Sequence, residues 1–138
     1  MSKSKLLWLI VSLLIMGLSC GKDKNPTAPP TVKDDPAFAT DIQPIFTAHC
    51  ALSGCHNSTA RAGMNLSDGK AYDNIVNVGS TQDNTKKRVL PNDADNSYLV
   101  MKIEGRQTVG IRMPQGGTLS DDNVQLIKNW INKGAKNN

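Results

Sequence analysis

The stretch from His49 to His56 constrains this chain more than any other. Its eight residues, HCALSGCH, hold both histidines and two of the three cysteines of the protein. Two cysteines followed directly by a histidine form the attachment pattern of covalently bound haem, in which the usual spacer has two residues. Here four residues separate Cys50 from Cys55, and His56 follows at once. The segment therefore predicts a haem-binding site with an enlarged loop.

The enlarged spacer is compatible with the chemistry of attachment. A c-type haem needs two thiols that reach its vinyl groups, a histidine that meets the iron, and a ligand or an open position on the opposite face. Four spacer residues still allow this if the excess is looped out, and Gly54 can adopt the positive φ that such a loop uses. Cys50 and Cys55 are therefore candidate attachment residues, and His56 is the candidate iron ligand.

Met113 is the candidate ligand for the other face of the iron. It is followed by Pro114, which prevents a helix at this point and stiffens the backbone. A thioether is a soft ligand that favours ferrous iron, so a His/Met pair raises the reduction potential. Taken alone, Met113 would be interpreted as an ordinary core or surface methionine, but the upstream cysteine–histidine motif and the amphipathic helix that follows favour the iron ligand. Met64 is a rival ligand and is interpreted as a pocket residue because it lies close behind His56 in the chain.

The first 36 residues are predicted to lie outside the folded domain. Residues 1–19 have a positive start, an apolar run too short for a membrane span and small residues at the end, which is typical of an export signal. The run ends in Gly-Leu-Ser-Cys-Gly, which resembles a bacterial lipobox and predicts lipidation of Cys20. A plain secretory signal with a leftover cysteine is the alternative. Residues 20–36 are rich in Pro, Lys and Asp and predict a flexible tether.

Residues 37–136 are predicted to form the domain. They show apolar residues at helical spacing and no competing strand pattern. The first helix is predicted to start at a cap formed by Thr40 or Asp41 and to end near His49, with Pro44 in its first turn, where the missing N–H costs little. It would present the cysteine segment above an apolar stripe.

Three more helices are predicted. A short one starts at Ser67 or Asp68 and runs to residue 76. The next covers residues 98–103 and ends at Gly105, because glycine suits the left-handed conformation found at helix C-termini. The last starts at a Ser120 cap and has two aspartates in its first turn, which favours the helix dipole.

Charge limits the partners that can be expected. The chain has 16 basic and 12 acidic residues, and two of the lysines fall in the predicted signal. No surface with interleaved basic and aromatic residues is visible, so no nucleic-acid partner is expected. The basic triplet Lys86, Lys87 and Arg88 is interpreted as a solvated face, with docking to an acidic partner as the alternative.

The order of the predicted helices and motifs along residues 38–135 resembles that of small bacterial monohaem c-type cytochromes. It is most similar to the planctomycete-type cytochrome c domain. The resemblance runs from about residue 38 to 135 and rests on the cysteine–histidine segment, Asn96-Ser97-Tyr98-Leu99, Arg112-Met113-Pro114, and the last helix with its flanks. It implies an all-α, cytochrome c-like fold of about four short helices around one covalently bound haem c. It also implies thioether bonds at Cys50 and Cys55, with His56 as the proximal and Met113 as the distal iron ligand. The C-x4-C-H spacer departs from the pattern of that family.

With both axial positions of the iron filled, the expected function is electron transfer and not catalysis. The protein would exchange single electrons with redox partner proteins of the bacterial cell envelope, anchored to a membrane by the lipid at Cys20. One alternative is a haem sensor or enzyme accessory domain with a displaceable distal ligand. Another is a haem-free module in which Cys50 and Cys55 form a disulfide or join His49 and His56 around zinc, although adjacent His-Cys pairs fit structural zinc spacing poorly. For His49, solvent or a propionate contact is the simpler interpretation.

Overall fold

The computed structural model describes residues 32–138. The predicted signal at residues 1–19, the lipidation site Cys20 and the tether up to residue 31 lie outside the described residues. The last five residues of the predicted tether lie against the domain, because Pro36 is buried and the Asn129 side chain donates to the Lys33 carbonyl at 3.0 Å. None of the helices in this part of the chain is long and apolar enough to cross a membrane.

Residues 32–138 form four α-helices and no β-strand. A π-helical turn over Phe38–Ile42 precedes the first helix, and a 3-10 turn covers Arg61–Gly63. The expected all-α class with about four helices is therefore what the described residues show. The helices are α1 (Gln43–His49), α2 (Ala71–Ile75), α3 (Tyr98–Glu104) and α4 (Asp121–Asn132).

Helical structure begins earlier than the predicted cap at Thr40 or Asp41, and that prediction is wrong. The π-helical turn Phe38–Ile42 runs directly into α1. Its first and last residues are buried, so the apolar stripe extends the helical segment toward the N-terminus. The Asp41 carboxylate instead closes the entry to this turn, accepting the Ala37 N–H at 2.7 Å and the Lys33 ammonium at 2.6 Å.

The boundaries of α2 and α3 show how glycines divide this chain. α2 begins after Lys70 and not at Ser67 or Asp68, because Gly69 has a φ of 68° and turns the chain before the helix can start. α3 matches the predicted helix closely. Gly105 ends it with a φ of 79°, in the left-handed conformation that was predicted.

An aromatic cluster joins the two ends of the domain. The ring centroid of Phe38 lies 5.3 Å from that of Tyr72 and 5.2 Å from that of Trp130. The polar atoms of the two larger rings are satisfied, since Tyr72 donates to the Ala135 carbonyl at 2.9 Å and Trp130 donates to the Lys136 carbonyl at 2.9 Å. The cluster therefore buries apolar area without leaving a polar atom unpaired, and it fixes α4 beside the start of the domain.

Replacing Ser120 with alanine is expected to lower the free energy of unfolding by about 1 kcal/mol. The Ser120 hydroxyl accepts the Asn123 N–H at 3.3 Å as the cap of α4, so alanine leaves that donor without its partner. Urea denaturation followed by circular dichroism measures the change. Thr118→Ala is the matched control, because Thr118 is exposed and precedes the helix without capping it. Equal destabilisation by both substitutions would contradict the capping role.

Candidate haem-binding cleft

The segment from Cys50 to His56 forms a closed loop at the end of α1. The His56 N–H donates to the Cys50 carbonyl at 3.1 Å, and inside this ring the Cys55 N–H donates to the Leu52 carbonyl at 2.9 Å. Gly54 has a φ of 74°, as predicted for the spacer. The hydrogen bond between the two ends holds Cys50 and His56 together, and the excess spacer residues bulge out between them.

One ring nitrogen of His56 is held by backbone carbonyls. Its Nδ1 lies 3.1 Å from the carbonyl oxygen of Arg61 and 3.3 Å from that of Met64. Because a carbonyl oxygen can only accept, Nδ1 carries the proton and Nε2 keeps its lone pair. Burial lowers the pKa of the imidazole, against the two carbonyl bonds that favour the charged form. Histidines that bind metals commonly donate their second ring N–H in this way.

Cys50 and Cys55 are both free thiols of intermediate burial. Burial raises the pKa of Cys50 to about 11, and the neighbouring Cys55 shifts it in the same direction. Cys50 is therefore a protonated thiol at neutral pH and not a reactive thiolate.

Two clefts meet at this segment and share Cys50, His56, Arg61 and Met113 as lining residues. The larger cleft has a cavity volume of about 110 Å³ and the smaller about 80 Å³, and both are open to solvent. Cys55 also lines the smaller cleft. The structure thus brings together all four site residues that the sequence predicted for the domain.

Met113 belongs to a loop that is fastened to α3. Its N–H donates to the Lys102 carbonyl at 3.0 Å. The Lys102 ammonium donates to the Val109 carbonyl at 3.2 Å and to the Ile111 carbonyl at 2.9 Å, and the Arg112 guanidinium donates to a carbonyl of α3 at 3.1 Å. Lys102 itself is buried. Met113 therefore reaches the cleft from the loop held against α3, whereas His56 reaches it from the loop after α1.

Sequence reasoning missed this role of Lys102. The available signal was a lysine directly before Ile103 in an otherwise apolar helix, which is an unusual place for a charge. Burial lowers the pKa of its ammonium group. A buried ammonium needs acceptors, and two carbonyls of the loop supply them.

Replacing Lys102 with methionine is expected to loosen the loop that carries Met113. The substitution keeps the apolar stem and removes both hydrogen bonds of the ammonium group, each of the charge-assisted kind. The Met113 amide should exchange its hydrogen about tenfold faster or more, as measured by hydrogen exchange with mass spectrometry or NMR. Lys133→Met is the control, because Lys133 is an exposed lysine at the end of α4. Unchanged exchange at Met113 would show that Lys102 does not hold the loop.

The remaining candidate residues of the domain lie at or near the two clefts. Met64 lines the larger cleft, as expected for a pocket residue, and His49 is exposed at the rim of the smaller one. The Tyr98 hydroxyl donates to the Val109 carbonyl at 2.7 Å. Within residues 32–138, no group of three or more His, Cys, Asp or Glu side chains is arranged to hold a metal ion, so the zinc alternative has no preformed cluster there.

The basic triplet is not a uniformly solvated face, and that interpretation is wrong for Arg88. Arg88 is only 8% exposed and lines the larger cleft, whereas Lys87 is exposed. The backbone N–H of Arg88 donates to the Val78 carbonyl at 2.8 Å. The signal in the sequence was the apolar pair Val89 and Leu90, which follows Arg88 directly. Burial of Val89 brings Arg88 into the interior.

The class of this site has to be argued from its own residues. Comparison with family models, with curated proteins and with solved structures gives no match for the chain. The features of this chain that define its site are the cysteine–histidine loop, the tautomer of His56 and the position of Met113.

Proposed function

We propose that this protein is a monohaem c-type cytochrome that carries single electrons. The observation that carries the proposal is the state of His56. Its imidazole is neutral, its Nδ1–H is committed to two carbonyls, and its Nε2 lone pair remains for a metal. The His56 residue lines a cleft that is also lined by both cysteines and Met113.

The residues of the cleft fit a haem. Cys50 and Cys55 would hold it through thioether bonds, with His56 as the proximal and Met113 as the distal ligand. A bound haem would supply a one-electron couple at its iron. The four helices and the loop between α1 and α2 would then form a cytochrome c-like fold around that group, in agreement with the resemblance of the sequence.

The lining of the clefts favours a carrier over an enzyme. Among the described residues, neither cleft is lined by an aspartate or a glutamate, so no carboxylate is placed there as a general base. A thioether and an imidazole on the two axial positions would leave no position for a substrate. The chain would then hold the iron, restrict water and let electrons pass at the exposed edge, with redox proteins of the cell envelope as partners.

Location is part of the same proposal. An export signal at residues 1–19 and acylation of Cys20 would anchor the domain to a membrane through the tether. The lipid would confine electron exchange to partners at that surface. Mass spectrometry of the mature protein tests this, because a diacylated or triacylated N-terminal cysteine has a defined mass increment that Cys20→Ala removes.

The central test is a pyridine haemochrome spectrum combined with intact mass. The full chain is expressed with and without the machinery that attaches haem c, beside a known c-type cytochrome. We expect one haem per chain and two thioether bonds, and one bond fewer in Cys50→Ala and in Cys55→Ala. A chain that stays free of haem while the reference cytochrome is fully loaded would overturn the proposal.

A further inference from the structure

Arg88 is a buried cation with no anionic partner among residues 32–138. Its side chain donates to the Asn74 carbonyl at 2.7 Å and to the Ala62 carbonyl at 3.1 Å. These bonds use two of its five N–H groups. None of the salt bridges found within residues 32–138 includes Arg88. The guanidinium is thus fixed in place with donors left over.

This arrangement is costly unless a further group completes it. Buried charges in proteins are normally paired, because removing a charge from water costs several kcal/mol. Burial lowers the pKa of Arg88, and a guanidinium still keeps its proton under any ordinary condition. The charge therefore persists, and the cleft beside it is where a partner can enter.

The other polar groups on this side of the cleft do not supply that partner. Lys102 already donates to two carbonyls, and Arg61 is exposed to water. The buried Ser80 hydroxyl accepts the N–H groups of Gln82 and Asp83 at 3.2 Å, which leaves its own hydrogen to be donated. The larger cleft therefore presents donors and positive charge, with no carboxylate among its described lining residues.

We propose that Arg88 binds a carboxylate of the group held in the larger cleft and that, given the proposed function, this carboxylate is a haem propionate. The planar guanidinium matches a carboxylate through two parallel hydrogen bonds. The carbonyls of Ala62 and Asn74 hold the guanidinium in position before the ligand arrives. Arg88 would then position the haem and compensate the charge of its propionate, while His56 and Met113 would bind the iron.

The first experiment uses the protein with its haem attached. Resonance Raman spectroscopy reports the bending band of the haem propionates, which shifts when a propionate loses a charged hydrogen bond. Arg88→Gln is expected to shift this band. Lys87→Gln is the matched control, because it removes an exposed charge from the same triplet and should leave the band in place. An unshifted band in Arg88→Gln would overturn the inference.

The second experiment measures how much the haem carboxylates contribute to binding affinity. The apoprotein is titrated with mesohaem, which lacks vinyl groups and cannot form thioethers, and with mesohaem dimethyl ester, which also lacks free carboxylates. The wild type should bind the diacid about ten- to hundredfold more tightly than the diester, as a charged hydrogen-bonded pair predicts. Arg88→Gln should lose most of that preference, and Lys87→Gln should keep it.

A merely structural role for Arg88 predicts something different. If it only joined the Ala62 and Asn74 loops, Arg88→Gln would weaken diacid and diester equally, and Arg88→Lys would fail like it. Under the proposal, Arg88→Lys keeps part of the preference for the diacid because it keeps the charge. If Arg88→Gln does not fold, the wild type alone still decides, since equal affinity for both ligands contradicts the proposal.

The two proposals fail in different ways. A chain that acquires no covalent haem under conditions that load a reference cytochrome overturns the proposed function. A chain that carries haem c but whose propionate band ignores Arg88 overturns only the assignment of Arg88.

Discussion

Given the proposed covalent haem, replacing His56 with alanine is expected to abolish its six-coordinate, low-spin spectrum and to leave its attachment intact. His56 lines both clefts, and backbone carbonyls hold its Nδ1 at 3.1 and 3.3 Å, which leaves Nε2 for the proposed iron. Alanine leaves both thiols in place, so the thioether bonds can still form. Absorption spectra of the reduced and oxidised protein report the loss, and the pyridine haemochrome reports the attachment.

The matched control is His49→Ala. This histidine lies at the other end of the same segment but is exposed, so its replacement should preserve the low-spin spectrum. Loss of the spectrum in His49→Ala, with retention in His56→Ala, would reverse the assignment of the proximal ligand. Loss in neither would remove histidine ligation from the proposal altogether.

The second large effect is expected from Met113→Leu. Leucine keeps the apolar volume and removes the sulfur, so ferrous iron loses its soft ligand and the reduction potential should fall by about a tenth of a volt or more. The vacated position should also bind carbon monoxide rapidly in the ferrous protein. Potentiometric titration and flash photolysis measure the two changes.

Met64→Leu is the control for this substitution, because Met64 lines the larger cleft but its carbonyl, and not its sulfur, engages His56. It should leave the potential nearly unchanged and carbon monoxide binding slow. Rapid, complete binding by the wild-type protein at neutral pH would contradict a firmly held Met113. It would instead favour a sensor or an accessory domain with a displaceable ligand.

Much of the site could be predicted because its chemistry is local in the sequence. The segment from Cys50 to His56 is only seven residues long, so its ligands are close in any fold, and Gly54 marks the turn within it. Met113 was also selected from the sequence, because Pro114 excludes a helix there, and the structure shows it lining both clefts. The helices followed from apolar spacing, and Gly105 ended α3 as predicted.

The rest could not be predicted because it depends on backbone carbonyls brought together by the fold. The acceptors for His56 are main-chain oxygens of Arg61 and Met64, which any residue type would supply. The same holds for the acceptors of Lys102 and Arg88. Their side chains are long, and a sequence pattern does not show whether such a chain reaches outward to water or inward to a carbonyl. The π-helical turn before α1 was missed for a related reason, because it packs against α4, with Phe38 beside Trp130.

In the cysteine loop, the number of spacer residues does not set the distance between the first cysteine and the histidine. A hydrogen bond joins the two ends of the loop directly. The His56 N–H and the Cys50 carbonyl meet at 3.1 Å across the bulge. Leu52, Ser53 and Gly54 are exposed, so one more residue inserted there would lengthen only the bulge, at an entropic cost that grows slowly with loop length. In this loop the exposed bulge is therefore the place where an inserted residue should be tolerated, while the hydrogen-bonded ends keep Cys50 and His56 together.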